Sequence, residues 1–468
     1  MSLDEALMAR CCTDHTRSDL LRRAAAEAGR GLPAIEAGMP VPAGTGLDRR
    51  TFLARTAGLA LAVYGGSSLL PRAFEEGIAA AAAAGPQKVL VSVFLDGGAD
   101  SLSMLFPSGD PLYRRYRPRL ALPDSAGIAF AEDDRLRWHP SLASLAALHA
   151  EGKVSVLPGV GYTGPDQSHF TSRHFWEVGA TSEQLRTGWL GRFVDRTGSA
   201  DNPLQGLSLE SRLQPALATA RMPVASIDGP DRYSFWTRNV WGDVESRMHE
   251  AIGALGALPT GGDPALAQAT AAARQAARLR EQLLPFTPKD DAPGFTSPVA
   301  YPEGADDDFP RRLAGLAAML GAGLPVRVVA LTAPGMYDTH DDQPQELADG
   351  LRLTADSLLA FQRDLEARGL ADRVLVHVWS EFGRRAKENG SNGTDHGAAG
   401  AGFLVGSRVP GKMIGEYPGL AKLDEHGNLR ATSDFRGLYS ALLDQWLGAD
   451  AEAIIPGART FARPKVVR

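Results

Sequence analysis

In the stretch Val89-Leu-Val-Ser-Val-Phe-Leu95 every residue but the serine is apolar and β-branched valines alternate, and Asp96-Gly-Gly-Ala-Asp100 follows it directly. A short apolar run that ends in aspartate and glycine is typical of a strand that is buried on both faces and ends in a loop. Strands of this kind occur in parallel sheets that are covered by helices on both sides. This stretch therefore predicts the fold class, an α/β fold with a mostly parallel sheet.

The sequence from residue 86 onward continues this pattern as an alternation of strands and helices. Repeated alternation is typical of a sheet that is sandwiched between two layers of helices. We therefore expect residues 86–468 to form a single α/β domain, in which residues 180–310 are an insert or cap region. The further predicted elements are strands at 153–157, 326–331, 373–379 and 402–406, helices at 139–149, 168–178, 264–284, 310–322, 344–368 and 434–447, and a loop at 381–400.

The composition excludes several classes of protein. The chain has 468 residues, of which 44% are hydrophobic, so it can bury a large core. Its formal net charge of −6 at pH 7 argues against a nucleic-acid-binding protein, which presents a basic surface. Its two cysteines are adjacent, at Cys11 and Cys12, so neither a disulfide framework nor a cysteine-rich zinc module is expected.

The first 85 residues are predicted to be a leader. Arg49-Arg50 is followed by a mildly apolar stretch at 57–70 and by small residues at 79–85. This order is typical of a twin-arginine export signal that is cleaved after transport. The apolar stretch is shorter than the roughly 20 residues that span a bilayer, so no stable membrane span is expected after cleavage. We therefore expect export by the twin-arginine machinery to the periplasm, the cell surface or the exterior.

Polar residues suited to metal binding follow the predicted strands. In parallel sheets, ligands collect at the edge that the carboxyl ends of the strands form. Asp338 and His340 are two residues apart, so in an extended segment their side chains point the same way and can hold one ion. Carboxylates and imidazoles without thiolates suit zinc, manganese, magnesium or calcium, and we expect one or two such ions. The candidate metal ligands are Asp96, Asp100, Asp338, His340, Glu381, Asp395 and His396, with Ser168 and His169 beside them.

Several of these residues also have a purely structural interpretation. Asp96 lies in an Asp-Gly-Gly sequence that favours a turn, and Asp100 is placed to cap a helix. Ser168 is either a helix cap or a nucleophile. Glu381 is either a site residue or the partner of Arg384, or of the arginine after it, in a surface ion pair. These alternatives stay open at the level of the sequence.

Longer motifs that carry these residues occur in one order along the chain. They are Phe94-Leu-Asp-Gly-Gly-Ala-Asp100, Ser168-His-Phe170, Thr187-Gly-Trp-Leu-Gly191, Asp338-Thr-His340, Ser380-Glu-Phe-Gly-Arg384, Asn389-Gly-Ser-Asn-Gly-Thr-Asp-His-Gly397 and Ser433-Asp-Phe-Arg436. With these motifs, the chain after the leader resembles, over nearly its whole length, the secreted proteins of the domain-of-unknown-function 1501 family (DUF1501). This family is commonly grouped with the alkaline phosphatase-like superfamily, which includes sulfatases, phosphodiesterases and phosphomutases.

The superfamily resemblance implies roles for the candidate residues, with two departures from the usual pattern. One residue separates Asp338 from His340, where the superfamily usually has three, and Phe382 follows Glu381 in place of histidine or asparagine. The resemblance therefore leaves open whether the site holds two metal ions, one or none. A second alignment sets Asp395-His396 against the superfamily's Asp-His-Gly motif. In the preferred alignment, Asp96 resembles a bridging metal ligand, Ser168 the hydroxyl nucleophile, and Asp338, His340, Glu381 and His396 the other metal ligands.

The expected function is that of an exported metal-dependent hydrolase of phosphate or sulfate esters, acting on a small molecule or a polymer. Ser168 is the expected nucleophile, His169 supports it, and Arg173 in the same predicted helix is placed to clamp substrate oxygens. Two alternatives remain. Either Ser168 only caps its helix and a metal-bound water attacks, or the chain is a non-catalytic envelope or polysaccharide-binding protein that retains the fold.

Overall fold

The computed structural model of the chain describes residues 87–233, 243–289, 292–303 and 308–468. The predicted leader, residues 1–85, and its twin-arginine signal lie outside the described residues. Within the described ranges, no helix combines the length and the apolar character that crossing a membrane requires.

A central sheet, two small sheets and flanking helices make up the described ranges. The strands are β1 (Val89–Phe94), β2 (Leu105–Phe106), β3 (Ile128–Ala129), β4 (Arg137–Trp138), β5 (Val154–Gly161), β6 (Gly206–Ser208), β7 (Ala225–Ser226), β8 (Val328–Thr332), β9 (Val374–Trp379), β10 (Arg384–Glu388), β11 (Thr394–His396), β12 (Gly400–Val405) and β13 (Ser433–Asp434). The helices are α1 (Ser101–Met104), α2 (Pro111–Tyr116), α3 (Ala143–Ala150), α4 (His169–Val178), α5 (Trp189–Thr197), α6 (Asp243–Gly256), α7 (Pro264–Leu283), α8 (Phe309–Gly321), α9 (Gln343–Ala367) and α10 (Phe435–Ala441), which continues as a π-helical turn (Leu442–Leu447).

The central sheet is mostly parallel, as the sequence predicts. Its strand order is β13-β5-β12-β9-β1-β8-β6-β7. Central strand β1 is parallel to both neighbours, and β12 runs antiparallel to β9 and β5. Strands β6 and β7, which lie in the predicted insert or cap region, join this sheet at one end. Because β1, β5, β8 and β9 run in the same direction, the loops after them open on one edge of the sheet.

The apolar run of β1 is buried because its side chains alternate between two apolar layers. Val89, Val91 and Val93 pack on one face with residues of α8 and α9. Leu90 and Phe94 pack on the other face with residues of α4, α5 and α10. A strand covered on both faces needs apolar residues at nearly every position, which explains the run in the sequence. Its one polar residue, Ser92, is buried and accepts a 2.9 Å hydrogen bond from Nε1 of Trp379.

The segment predicted as a loop at 381–400 contains the hairpin of β10 and β11. Its turn holds Asn392 at a φ of 59°, a left-handed conformation that asparagine tolerates better than most residues. The Asn-Gly pairs at 389–390 and 392–393 are a hairpin signal, which the polar flanking residues obscured. The hairpin carries His396 back to the edge of the sheet where the strand-end loops meet.

Candidate metal centre at the sheet edge

Four side chains from three segments meet at the carboxyl edge of the sheet. His169 begins α4 after β5, Asp338 and His340 follow β8, and His396 ends β11. The Nε2 atom of His396 lies 2.9 Å from the Nε2 atoms of both His169 and His340. Asp338 Oδ1 lies 3.1 to 3.4 Å from the same three nitrogen atoms. Three imidazole nitrogens and one carboxylate oxygen therefore surround one point.

The other ring nitrogen of each histidine faces an oxygen acceptor. A proton on each Nδ1 atom satisfies that acceptor and directs the Nε2 lone pair toward the shared point. Histidines that bind metal ions are held in this way, with the non-ligating nitrogen donating to a carboxylate or a carbonyl group. The Nδ1 contacts are His169 with Glu381 Oε1 at 2.7 Å, His396 with the carbonyl oxygen of Gln167 at 2.8 Å, and His340 with Asp395 Oδ1 at 3.3 Å.

The spacing and chemistry of these four atoms fit a single divalent cation. Donors bound at about 2.0–2.1 Å in a tetrahedron lie roughly 3.3 Å apart. The separations that His396 Nε2 and Asp338 Oδ1 make with the other donor atoms run from 2.9 to 3.4 Å. Imidazole nitrogens with one carboxylate oxygen are typical zinc ligands, whereas magnesium and calcium prefer oxygen. His169, Asp338 and His396 offer three ligand atoms that all lie within 4.8 Å of one another, and His340 places a fourth beside two of them. The residues present therefore fit a metal ion such as zinc.

Burial and neighbouring charges set the protonation states of this centre. Burial by itself lowers the pKa of His169, but hydrogen bonds to Asp338 and Glu381 outweigh it and raise the pKa to about 9. Burial lowers the pKa of His396 to about 4, against the opposing effect of Asp338. Burial tends to raise the pKa of Asp338, but hydrogen bonds from the three histidines and the charge of Arg384 hold it well below its usual range. A metal ion that binds here at neutral pH would therefore displace a proton from His169.

Glu381 lies behind His169, although the sequence interpretation placed it directly on the metal. Its fully buried carboxylate accepts hydrogen bonds from the backbone N–H groups of Gly97 at 3.1 Å and Gly98 at 3.0 Å, and it contacts Nδ1 of His169. Gly97 has a φ of 123°, and a Cβ atom there would lie 2.3 Å from the backbone nitrogen of Asp338. Only glycine allows this close approach. Glu381 thus orients the imidazole ring of His169.

Asp395 takes the corresponding position behind His340. Its Oδ1 atom accepts a hydrogen bond from Nδ2 of Asn389 at 3.2 Å, in addition to the contact with Nδ1 of His340. The next residue, His396, presents its Nε2 atom to the shared point. Neighbouring residues in a strand point to opposite sides, so Asp395 and His396 cannot both face the same ion from there. The structure therefore separates this pair, which the sequence interpretation placed together on the metal.

Asp100 is buried in an ion pair with Arg117 and does not join the four donors. Neither side chain has any exposed surface. Asp100 also accepts hydrogen bonds from the hydroxyl of Ser103 at 2.6 Å and from Nε2 of Gln343 at 2.7 Å. Gln343 in turn accepts a hydrogen bond from the hydroxyl of Thr394 in β11 at 2.6 Å. A buried carboxylate requires a cationic partner, and here the pair anchors the segments that carry the metal donors.

Arg384 contributes to the centre in a way that the sequence analysis missed. Its fully buried guanidinium donates to Asp338 Oδ1 at 2.6 Å, to the carbonyl of Gly98 at 2.7 Å and to the carbonyl of Thr394 at 2.7 Å. From the sequence alone, Arg384 is a candidate for a surface ion pair with Glu381. The signal that could have corrected this is the hairpin sequence around it, which places Arg384 in a strand beside the site.

Ser168 immediately precedes His169 and is half-buried. It occupies the N-cap position of α4, but its side chain makes no capping hydrogen bond. Its backbone N–H donates to Oδ1 of Asp166 at 2.7 Å. The hydroxyl of Ser168 therefore does not cap the helix, which was the structural alternative for this serine.

Arg173 lies one helical turn after His169 and contacts Asp96. Its guanidinium carbon lies 4.5 Å from the centre of the Phe94 ring. It pairs with Glu177 Oε1 at 2.8 Å and with Asp96 Oδ2 at 3.2 Å. The resemblance implied that Asp96 bridges metals, whereas its carboxylate here contacts an arginine beside the four donors. The site thus combines one cluster of possible metal ligands with one adjacent cationic side chain.

Replacing Glu381 with glutamine is expected to weaken zinc binding about 10- to 100-fold. The amide can still face Nδ1 of His169, but it lacks the negative charge that strengthens this histidine as a ligand. Competition against a chromophoric zinc chelator measures the affinity. A Glu388→Gln variant, which alters a carboxylate paired with Arg119, is the matched control and should bind zinc like the wild type. Equal affinity in both variants would contradict the orienting role.

Comparisons with known proteins agree with the sequence resemblance. The family model described as "Protein of unknown function (DUF1501)" matches residues 87–444. None of the curated proteins matches the sequence.

Solved structures with a similar fold come from several bacteria. One is a protein in the alkaline phosphatase superfamily from Vibrio parahaemolyticus, with 9% identity and a TM-score of 0.37, covering 86% of this chain and 80% of that chain. A second is the lipoteichoic acid synthase LtaP from Listeria monocytogenes, with 8% identity and a TM-score of 0.36, covering 85% of this chain and 78% of that chain. A third is the PsFucS1 sulfatase from Pseudoalteromonas sp., with 10% identity and a TM-score of 0.32, covering 86% of this chain and 79% of that chain.

Proposed function

The chain belongs to the DUF1501 family, and we propose that it is an exported, metal-dependent hydrolase of phosphate or sulfate esters. The observation that carries this proposal is the convergence of three histidine nitrogens and one aspartate oxygen at the edge of the sheet. The chemistry that a cation supplies there is polarisation of a phosphoryl or sulfuryl oxygen and a lowered pKa for a nearby hydroxyl. Export by the twin-arginine machinery is proposed from the Arg49-Arg50 signal alone.

Zinc is the proposed metal, and one ion is the proposed number. Three of the four donors are imidazoles, which favours zinc over the magnesium and calcium that the sequence also allowed. His169, Asp338, His340 and His396 would hold the ion, with Glu381 and Asp395 behind two of the histidines. Asp96 contacts Arg173, so a second ion is not part of the proposal.

Ser168 is the proposed nucleophile. It is half-buried beside His169, and its hydroxyl does not cap α4. In the proposed reaction, its Oγ atom bonds to phosphorus or sulfur as the bond to the departing alcohol breaks, and the hydroxyl proton ends on that alcohol. Water then hydrolyses the seryl ester, which releases phosphate or sulfate and restores the hydroxyl.

Arg173 is proposed to bind the oxygens of the transferring group. Its guanidinium is held over Phe94 and by Glu177 and Asp96, while 29% of the side chain remains exposed. It lies four residues after His169, so both side chains are on the same side of α4. A guanidinium presents several donors in one plane, a geometry that matches phosphate and sulfate oxygens. The proposed substrate, a small molecule or a polymer, therefore needs an anionic ester group.

A Ser168→Ala variant is expected to lose at least about 10²-fold in turnover, because a removed nucleophile forfeits roughly 3 kcal/mol or more of transition-state stabilisation. A panel of aryl phosphates and aryl sulfates, assayed with zinc-loaded protein, measures the rate. Zinc content should stay unchanged, because the hydroxyl is not among the four donors. Ser125→Ala, at an exposed serine, is the matched control.

Two outcomes would contradict parts of this proposal. Full turnover by the Ser168→Ala variant would assign the attack to a water molecule instead of the serine. A wild-type protein that binds no metal and hydrolyses no ester on the panel would contradict the hydrolase as a whole.

A second candidate function is a non-catalytic exported protein that binds an envelope component or a polysaccharide. The observation that favours it is the number of protein donors, because four donors around one point are typical of structural zinc sites. In that case, wild type and the Ser168→Ala variant bind the same glycan equally and neither turns over an ester.

A further inference from the structure

The candidate centre has four protein donors, whereas a catalytic metal site keeps one position for water or substrate. Substrate oxygen therefore reaches the ion only if one donor leaves or the coordination expands. The four donors differ in how firmly the surrounding protein holds each of them, and this difference identifies the donor that leaves.

Three of the donors are held firmly. In each of them, a hydrogen bond with a neighbouring group restrains either the donor atom itself or the other nitrogen of the same ring. These donors are His169, 6% exposed and 2.7 Å from Glu381; His396, 8% exposed and 2.8 Å from the carbonyl of Gln167; and Asp338, 26% exposed but with an Oδ1 that accepts a 2.6 Å hydrogen bond from buried Arg384.

The imidazole of His340 is held less firmly. Its side chain is 23% exposed, compared with 6% for His169 and 8% for His396, and its Nδ1 contact with Asp395, at 3.3 Å, is the longest of the three histidine Nδ1 contacts. It lies in the segment between β8 and α9, outside any helix or strand. Met336 in the same segment is 60% exposed, so this segment borders solvent.

The backbone of His340 is nevertheless anchored. Its carbonyl accepts a 2.7 Å hydrogen bond from Nδ2 of Asn389. Gly393 packs so closely on it that a Cβ atom there would lie 2.2 Å from the His340 carbonyl oxygen. The backbone of the preceding Thr339 accepts a 3.0 Å hydrogen bond from the backbone of Thr394. The imidazole can therefore rotate about its side-chain bonds while the main chain stays in place.

We infer that His340 is the exchangeable ligand of this centre, which leaves the ion when an oxygen of a phosphate or sulfate group binds. The other three donors keep the ion in the protein during this exchange. This inference rests on the proposed function. It adds that the substrate oxygen takes the position of His340 on the ion.

The exchange is tested by NMR on the full chain loaded with an NMR-active cadmium isotope and carrying labelled nitrogen in its histidines. Scalar couplings between cadmium and Nε2 report each bound histidine directly. We expect three coupled histidines in the absence of anion and two at saturating inorganic phosphate. The coupling that disappears should be the one that is missing from a His340→Ala variant. The exposed His426 serves as an internal control that shows no coupling in any sample.

Cadmium affinity provides a second readout. We expect His340→Ala to lower the affinity about tenfold and His169→Ala to lower it at least about 10³-fold, because Glu381 fixes only the latter ring with a buried charge. Three couplings that persist at saturating phosphate, or equal losses in the two variants, would overturn the role of His340. Wild-type protein that binds no cadmium would contradict the metal centre itself, and with it the proposed function.

Discussion

Replacing His396 with alanine should remove both the bound metal and ester hydrolysis, and turnover should fall at least about 10⁴-fold. The Nε2 atom of His396 lies within 3.2 Å of the donor atoms of His169, His340 and Asp338, so its loss opens the centre of the cluster. Steady-state kinetics and metal content, measured on the same preparation, check this result.

The control for this prediction is His426→Ala. His426 has a side chain that is 65% exposed and pairs with its neighbour Glu425, so zinc content and rate should equal those of the wild type. Chelation of the wild-type metal should reproduce the effect of the His396 change, and added zinc should restore turnover. A His396→Ala protein that keeps its metal and its rate would show that the four donors do not form the working centre.

Breaking the buried pair of Asp100 and Arg117 should lower the free energy of unfolding by about 3–5 kcal/mol. Both side chains are fully buried, and Arg117 Nη2 donates to Asp100 Oδ1 at 2.8 Å. In an Asp100→Asn variant, the guanidinium stays buried without a negative partner, which is the unfavourable situation for an ion removed from water. Urea unfolding of chelator-treated wild type and variant measures the difference without a contribution from bound metal.

The acid dependence of stability gives the same pair a second signature. Burial by itself raises the pKa of Asp100, but the charge and hydrogen bonds of Arg117 outweigh it, so the pKa lies below its usual range. A carboxyl with a depressed pKa stabilises the folded state above about pH 4, and this contribution is lost as the pH falls further. The Asp100→Asn variant should lack this part of the acid dependence.

Two further variants make this prediction specific. Asp349→Asn breaks the exposed pair with Arg352 and should change the unfolding free energy by no more than about 0.5 kcal/mol. A double replacement of Asp100 by leucine and Arg117 by methionine should recover much of the lost stability, because the unpaired charge is then gone. An Asp100→Asn protein as stable as the wild type would show that the pair does not anchor the fold.

The fold and the location of the site could be predicted because both depend on local patterns. The run at 89–95 is apolar at every position except Ser92, which is typical of a strand buried on both faces. The polar residues after such strands must lie at one edge of a parallel sheet, whichever helices connect them. Asp338, His340 and His396 followed from this reasoning. The hairpin within 381–400 did not, because its strands are mostly polar.

The tertiary structure decides which of the polar residues point into the cluster and which support them from behind or pair elsewhere. By sequence alone, Glu381 and Asp338 are both acids at strand ends, but the N–H groups of Gly97 and Gly98 turn Glu381 toward the back of His169. Asp100 follows the same strand as Asp96, yet it meets Arg117 in the interior. Strand periodicity, which the sequence shows, determines which residues reach the edge. Which donor atoms share one point depends on the directions of the side chains and on partners that are more than 200 residues away in the chain, such as the Gly97–Glu381 pair. No local sequence pattern encodes these directions or these partners.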